Sequence, residues 1–497
     1  MPVCSMPAGV TYDVAIAGGG LTGLATAAAV ARTGRRVVLL EARSVGVVAT
    51  GNTTAKLTVL QGARLSEIRQ RHSLDVAGAY LTASQEAQRW LLDLCAQREV
   101  SAQRRPAFSY ATTADGERRL EAEQEVAHEL GLGVRWKEST ELPFPVAGAI
   151  CLEDQAQFDP MDVLTALAHE FRGLGGVIVE GARVTGVNRR GPLTVTTTAG
   201  EVQADQLVLA TGSPVLDRSG HSLRIVPHRS YVLAYRVPAD GWRPHGMFVS
   251  VDGPVRSLRS AAHGGGELLL VGGNDHVTGR VTSPAALIAD LDEWTRGLVP
   301  GAERTHAWSA QDYEPFGGLP LIGALPGSGG TIFAATGYGK WGMTGAVAAA
   351  RAIAGSLDGR APSWLGTLQS ANGGVGTLAA GASATAQVGR ELVQGWVSGE
   401  LHALDPEPPG EGQGVVGRSE GRPVGVSTVG GRTCAVSGVC THLGGMLSWN
   451  DAETSWDCPL HGSRFAPDGT LLEGPAVADL ATLGHDRSSS AGGDQTP

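Results

Sequence analysis

The chain contains no run of eighteen apolar residues, so no membrane-spanning helix is expected. Its N-terminus lacks a basic segment followed by an apolar stretch and does not read as a secretory leader. Six cysteines among 497 residues are too few and too scattered for a secreted disulfide scaffold. There is no excess of positive charge; the formal net charge is −10, and nothing points to a nucleic-acid partner. No internal repeat is visible, and the 71 glycines follow no collagen-like period. These absences leave a cytoplasmic globular protein as the expectation, and the length suggests two to four domains.

Against that background four residues stand out. Cys440-Thr441-His442-Leu443-Gly444 and Cys458-Pro459-Leu460-His461-Gly462-Ser463 each offer one thiolate and one imidazole, and fifteen residues separate His442 from Cys458. The set resembles a Rieske centre, in which cysteines hold one iron of a [2Fe–2S] cluster and histidines the other. The Gly-Ser-Arg-Phe continuation at 462–465 is similar to that family as well. Two Cys and two His could also hold a structural zinc, although zinc fingers usually pair cysteines in one box and histidines in another. The respiratory-type Rieske pattern has two further cysteines that form a disulfide beside the cluster. Here their places are taken by Gly445 and Leu460. A cluster without that disulfide suits a reducing compartment and implies a potential toward the lower part of the Rieske range. The other cysteines, Cys4, Cys95, Cys151 and Cys434, read as inert thiols.

The rest of the chain has its own pattern. Residues 12–41 read as strand, glycine turn, helix, strand, the helix spanning 21–32 and ended by Gly34. A further strand is expected at 206–210, followed by Thr211-Gly212. Strand, glycine turn and alanine-rich helix recur over 331–355. Segments such as 231–236 and 267–271 alternate as strands do. Residues 371–385 carry few bulky side chains and read as linker, 404–410 mark a second boundary, and the chain beyond about 486 reads as a disordered tail.

Gly18, Gly20 and Gly23 satisfy a GxGxxG fingerprint that follows a strand, opens a helix and leads to a strand ending in Glu41. The first glycine permits the turn, the second lets backbone approach a pyrophosphate, and the third lets helix pack on strand. The helix N-terminus faces the phosphates, and Glu41 would accept hydrogen bonds from ribose hydroxyls. The alternative is a glycine turn with no ligand. Residues 336–344, Thr-Gly-Tyr-Gly-Lys-Trp-Gly-Met-Thr, resemble the C-terminal flavin box of the D-amino-acid-oxidase and glycine-oxidase superfamily. The segment 210–212 and the segment 312–323, with Gly318-Leu319-Pro320-Leu321-Ile322-Gly323, are similar to the same family. This resemblance covers roughly 10–360 and implies FAD, with Thr53 and Thr54 in a loop at 50–56 that wraps the flavin, and with Val184, Thr211, Gly212, Gly337, Gly339, Lys340 and Gly342 as further cofactor contacts. No second strand–GxGxxG–helix unit lies mid-chain, so electrons are expected from an organic substrate rather than a nicotinamide.

The expected architecture is α/β: a Rossmann-like FAD-binding domain with a β-rich substrate domain over 10–365, its FAD-binding parts about 10–60, 175–215 and 315–358. A linker at 366–404, a small all-β Rieske [2Fe–2S] domain at 405–486 and a tail at 487–497 complete it. The resemblance implies oxidation of an amine or amino acid. Arg229 is the candidate carboxylate anchor, Tyr231 a hydrogen-bond donor, and His228 a base. Lys340, inside the flavin box, could stabilise reduced flavin or bind substrate. His276 could line the pocket. For each the alternative is an ordinary surface role. The fused cluster implies that electrons leave singly to an external acceptor, a protein or a quinone-like molecule. Two other readings remain: an electron-transfer or redox-sensing module with no substrate of its own, and a cluster that merely staples the fold. A Rieske oxygenase is disfavoured, because no two of the 13 histidines are spaced HxxxxH.

Overall fold

The computed structural model describes residues 9–189, 191–216, 222–373 and 403–483. They form two compact units, Met1–Val277 with Ala286–Ala386, and Thr278–Ala285 with Gln387–Pro497. Among the described residues no helix is long and apolar enough to cross a membrane.

The larger unit is built on two sheets. In the first, Thr11–Ala17 lies parallel to Gly200–Leu209 on one side and Val37–Leu40 on the other. Ile332–Thr336 and Val177–Val179 extend the parallel set, and Leu321–Ala324 adds an antiparallel edge. Continuous apolar runs such as Val37–Leu40 suit strands covered on both faces. Side chains alternate accordingly. Val14, Ile16 and Leu39 enter one core, and Ala15, Ala17, Val38 and Leu40 enter another. Leu21–Ala31 and Gly342–Leu357, both alanine-rich, are buried along most of their length in the first core. Small side chains let these helices lie close to the strands.

The second sheet has nine strands. Ile225–Arg236 pairs antiparallel with Glu303–Pro315 and Gly266–Val277, and the latter pairs with Arg256–His263. Lys56–Leu57 forms the opposite end of the order, paired with Gly148–Phe158. One face packs Tyr231, Leu233, Tyr235, Leu258 and Leu269 against Leu291 of the helix Pro284–Leu298.

The smaller unit consists of two antiparallel sheets, of three and four strands, as expected for its all-β reading. Val436, Trp456 and Phe465 are fully buried in its core beside Cys440 and Cys458. Gly430 and Gly431, with φ of +61° and +72°, turn Arg422–Val429 into Arg432–Ser437. Buried Arg464 ties the four-stranded sheet, reaching Asp457 at 3.1 Å, Glu453 at 2.9 Å and Glu473 at 3.6 Å.

One boundary differs from expectation. Residues 366–372, read as linker, are the last seven residues of the ten-residue helix Ser363–Asn372. Trp364, Leu365 and Leu368 share one helix face and enter the large core, a stronger signal than the glycines that follow. The remainder of the expected linker up to 402, and the expected tail, lie outside the described residues.

Candidate cofactor and active site

The glycine fingerprint sits where the central strand ends. A Cβ on Gly18, whose φ is +106°, would lie 2.4 Å from the Ala210 carbonyl oxygen, and one on Gly23 would lie 1.9 Å from the Gly18 oxygen. Backbone packing alone therefore demands both glycines. Gly20 is different: a Cβ there meets only Thr50 Oγ1, at 3.2 Å. Its open side, at the start of Leu21–Ala31, leaves room for a phosphate to reach the backbone. Glu41 is buried and accepts hydrogen bonds from Gly19 N at 2.6 Å and Arg43 N at 2.8 Å. Burial pushes its carboxyl above the ordinary range, and the two amides only partly offset this. Thr211 and Gly212 follow the neighbouring strand, and Thr336 Oγ1 donates to Gly212 O. Val184 lies in the adjoining hairpin with its side chain in the core. Thr53 and Thr54 lie in the loop after Ala49–Asn52, where Thr53 Oγ1 accepts from Ala55 N at 3.2 Å.

The second glycine box closes on the same edge. Gly337, Gly339 and Lys340 all have positive φ, +77°, +51° and +71°. A side chain at Gly339 would strike Glu314 and Arg64, which form an ion pair at 2.9 Å. Tyr338 OH lies 2.9 Å from Thr22 Oγ1, joining this box to the first helix. Gly342 opens the helix Gly342–Leu357, which no side chain caps. Two helix N-termini thus meet at the edge where a dinucleotide cofactor is expected, and the glycines leave backbone free to approach it.

The substrate sheet separates the sequence candidates into two groups. Along Ile225–Arg236 side chains alternate. Arg229 and Tyr231 point to the face packed on Pro284–Leu298. Arg229 is no surface residue; it is buried and donates to Ser309 Oγ and, at 3.2 Å, to Gln311 Oε1. Tyr231 is buried and stacks on His276, with 5.6 Å between ring centroids.

His228 points to the other face. Its Nδ1 lies 2.8 Å from Asp275 Oδ2, and Lys340 Nζ lies 2.8 Å from Asp275 Oδ1. Burial would raise the Asp275 carboxyl, but the His228 hydrogen bond and the Lys340 charge together hold it below its usual value. The Lys340 amide is anchored to Asp312, whose own carboxyl burial pushes up.

The same face carries residues that motif reading passed over. Register places Ser257 and Arg259 beside Gly272 and Leu270, in line with Val232, Ala234 and Trp308. The 50–56 loop lies on this face: Trp308 Nε1 donates to Asn52 O at 2.8 Å, and Lys56 Nζ donates to Ser257 Oγ. Lys56 is buried, and burial followed by the Arg259 charge pushes its ammonium down to about 7. The available signal was Ser257-Leu258-Arg259, in which alternation on a strand puts Ser257 and Arg259 on the face opposite apolar Leu258.

In the smaller unit the two Cys/His boxes fold into matching turns. Gly444 N bonds Cys440 O at 3.1 Å and Gly462 N bonds Cys458 O at 3.0 Å, with both glycines at positive φ. Amides of His442 and Leu443 face the Cys440 sulfur, and those of Leu460 and His461 face Cys458. The Cys458 thiol donates to Cys440 and holds it below the usual thiol range. The His442 and His461 rings lie edge to face, 5.1 Å between centroids. Two thiols side by side and two imidazoles side by side suit a two-iron cluster with unlike ends. Among the described residues no three His, Cys, Asp or Glu side chains converge on one point, as a single ion requires. Leu460 fills the space beside Gly445, where a Cβ would lie 2.7 Å from Leu460 Cδ1 and 3.0 Å from Cys458 Sγ.

Comparison with known proteins agrees with both halves. The family model described as FAD dependent oxidoreductase matches residues 13–355, and that of the Rieske [2Fe–2S] domain matches 406–484. A Bacillus subtilis protein, YhfW, described as a Rieske 2Fe-2S iron-sulfur protein, is 29% identical over 480 residues, 95% of this chain and 93% of that one. Glycine oxidase from Geobacillus kaustophilus superposes with a TM-score of 0.60 at 21% identity, covering 71% of this chain and 96% of that one. L-proline dehydrogenase from P. horikoshii gives 0.57 at 15% identity, covering 73% and 96%. At such identities these two structures show a shared fold. With the larger unit matched over most of its length and the Cys/His boxes inside the second match, the chain belongs to the FAD dependent oxidoreductase family and carries a Rieske [2Fe–2S] domain, with FAD and that cluster as its cofactors.

Proposed function

We propose that the chain oxidises a small amine or amino acid and delivers the electrons singly to an external acceptor. FAD, when bound, supplies the two-electron oxidant, and the [2Fe–2S] cluster a one-electron carrier. Gly18, Gly20, Gly23, Glu41, Thr53, Thr54, Thr211, Gly212, Gly337, Gly339 and Gly342 would hold the first. Cys440, His442, Cys458 and His461 would hold the second. The observation that carries the reading is the hydrogen-bonded set His228–Asp275–Lys340 on the face covered by the 50–56 loop. Amine oxidation requires the substrate nitrogen to be neutral. With Nδ1–H donating to Asp275, the Nε2 lone pair of His228 is the acceptor, suited to take a proton from a substrate ammonium. Lys340, fixed by Asp275, keeps that carboxylate charged. His442 is half-buried while His461 is buried, and Leu443 is 53% exposed, so the first cluster loop is the one open to an acceptor.

The test is an anaerobic titration of the purified protein with a panel of amino acids and secondary amines, following flavin bleaching and the EPR signal of the reduced cluster. Bleaching by one compound, followed by the Rieske signal, is the expected result. If only dithionite reduces either centre, the reading falls and a substrate-free electron-transfer module replaces it.

A further inference from the structure

The second cluster box is clasped by a segment that comes from far away in the sequence. Thr278–Ala285, which follows the strand Gly266–Val277, belongs to the smaller unit. Gly279 has a φ of +74° and lies so close to the box that a Cβ would come 2.9 Å from Pro459 N and 3.2 Å from Asp457 O. Backbone angle and contact therefore both demand a glycine there. Ser448 Oγ donates to Gly279 O at 2.9 Å and to Asp457 O at 3.2 Å. Asp451 accepts from Ser283 Oγ at 2.7 Å and from Ala285 N at 2.8 Å, at the start of the helix Pro284–Leu298. Thr278 is fully buried. Between these fixed points Arg280 Nε donates to Pro459 O at 3.2 Å.

Pro459 O and Leu460 N belong to one peptide group, and the Leu460 amide faces the Cys458 sulfur. A cationic donor on the carbonyl polarises that peptide, so its N–H becomes a stronger donor to the sulfur. Hydrogen bonds to the cysteine sulfurs and nearby positive charge both favour the reduced state of an iron–sulfur cluster, which carries one more negative charge. We propose that Arg280 is a positioning residue that raises the reduction potential of the [2Fe–2S] cluster, acting through the Pro459–Leu460 peptide on Cys458. Reduction adds one electron to the cluster and breaks no bond to the protein; dithionite supplies that electron in the experiment. Arg280 would act in this way whatever the FAD-binding unit oxidises. It opposes the low potential implied by Gly445 and Leu460 in place of the disulfide, so a residue from the turn after Gly266–Val277 offsets part of what the boxes lack.

The experiment is an EPR-monitored redox titration of the full-length, cluster-loaded protein at neutral pH, with iron content and the FAD midpoint measured alongside. Arg280→Gln should lower the equilibrium constant for cluster reduction about tenfold, which is about 59 mV for one electron. Iron content and the FAD midpoint should stay as in the wild type. Arg280→Lys keeps the charge but loses the planar Nε–H donor; it should recover most of the shift and leave about a two- to threefold deficit. Arg432→Gln removes an exposed arginine from the hairpin of the three-stranded sheet and should leave the cluster midpoint unchanged. A wild-type midpoint in Arg280→Gln with iron retained overturns the proposal. An equal shift in Arg432→Gln does the same, because net charge alone would then account for it. If Arg280→Gln loads no cluster, Arg280→Lys against the wild type decides: a small downward shift supports the relay through Pro459, and an unchanged midpoint overturns it.

Discussion

The two candidate sites are assembled in opposite ways. The candidate cluster site takes its four proposed ligands from two boxes that each fold into a local turn, closed by Gly444 and Gly462 over their own cysteines. The candidate site on the substrate sheet gathers Lys56, His228, Ser257, Arg259, Asp275 and Lys340 from five separate stretches of chain, brought to one face by strand register and loop packing. A local site is complete once its turns form. An assembled site exists only when the whole unit is folded.

The difference can be tested from the large effects downward. Cys440→Ser should remove the Rieske EPR signal outright and deplete iron while leaving flavin content intact, because a local box fails alone; simultaneous loss of FAD would break the comparison. Arg464→Met should destabilise the smaller unit by about 3–5 kcal/mol, since it leaves the buried Asp457 carboxylate without its cationic partner. Chemical denaturation followed by cluster absorbance reads this directly. His228→Asn should lower kcat by about 100-fold or more with the flavin spectrum unchanged, as expected for a base placed by tertiary structure. Retention of full turnover would take His228 out of the site.

The smallest expected effect concerns Glu123, buried under the start of Arg64–Arg71, where it accepts from Leu65 N at 3.1 Å and Ser66 N at 2.7 Å. Burial raises its carboxyl to about 7, above the ordinary 4.5. A group with a raised folded value favours the protonated native state. Its contribution is full below pH 4.5 and is lost as the pH rises to about 7. The denaturation midpoint of the larger unit should therefore decline across that window, and Glu123→Gln should flatten the slope. An unchanged slope would show that Glu123 does not titrate there. The helix it holds carries Arg64, which packs under Gly339, so an assembled site should feel this distant carboxyl.

Legibility in the sequence followed the same divide. The Rieske and FAD dependent oxidoreductase families were readable because the Cys/His boxes and the glycine fingerprint repeat at short fixed spacing, and the strands at 12–17 and 37–40 because both faces are apolar. The faces of the substrate sheet were not readable. His228, Arg229 and Tyr231 sit within four residues, yet alternation sends the first to one face and the other two to the opposite one. Nothing local says that Lys56 and Lys340, arriving from distant segments, will meet the face of His228 rather than that of Arg229. The helix at Ser363–Asn372 was missed because the glycine-rich stretch after it outweighed three apolar residues in register.

Asp275 has one further consequence. It takes His228 on one oxygen and Lys340 on the other, so one carboxylate ties the strand that carries the proposed base to the loop proposed to seat the cofactor. A displacement of that loop withdraws a positive charge from Asp275 and makes it a stronger acceptor for the His228 proton. The readiness of the base is thereby geared to the seating of the loop, through a junction a single atom wide on each side.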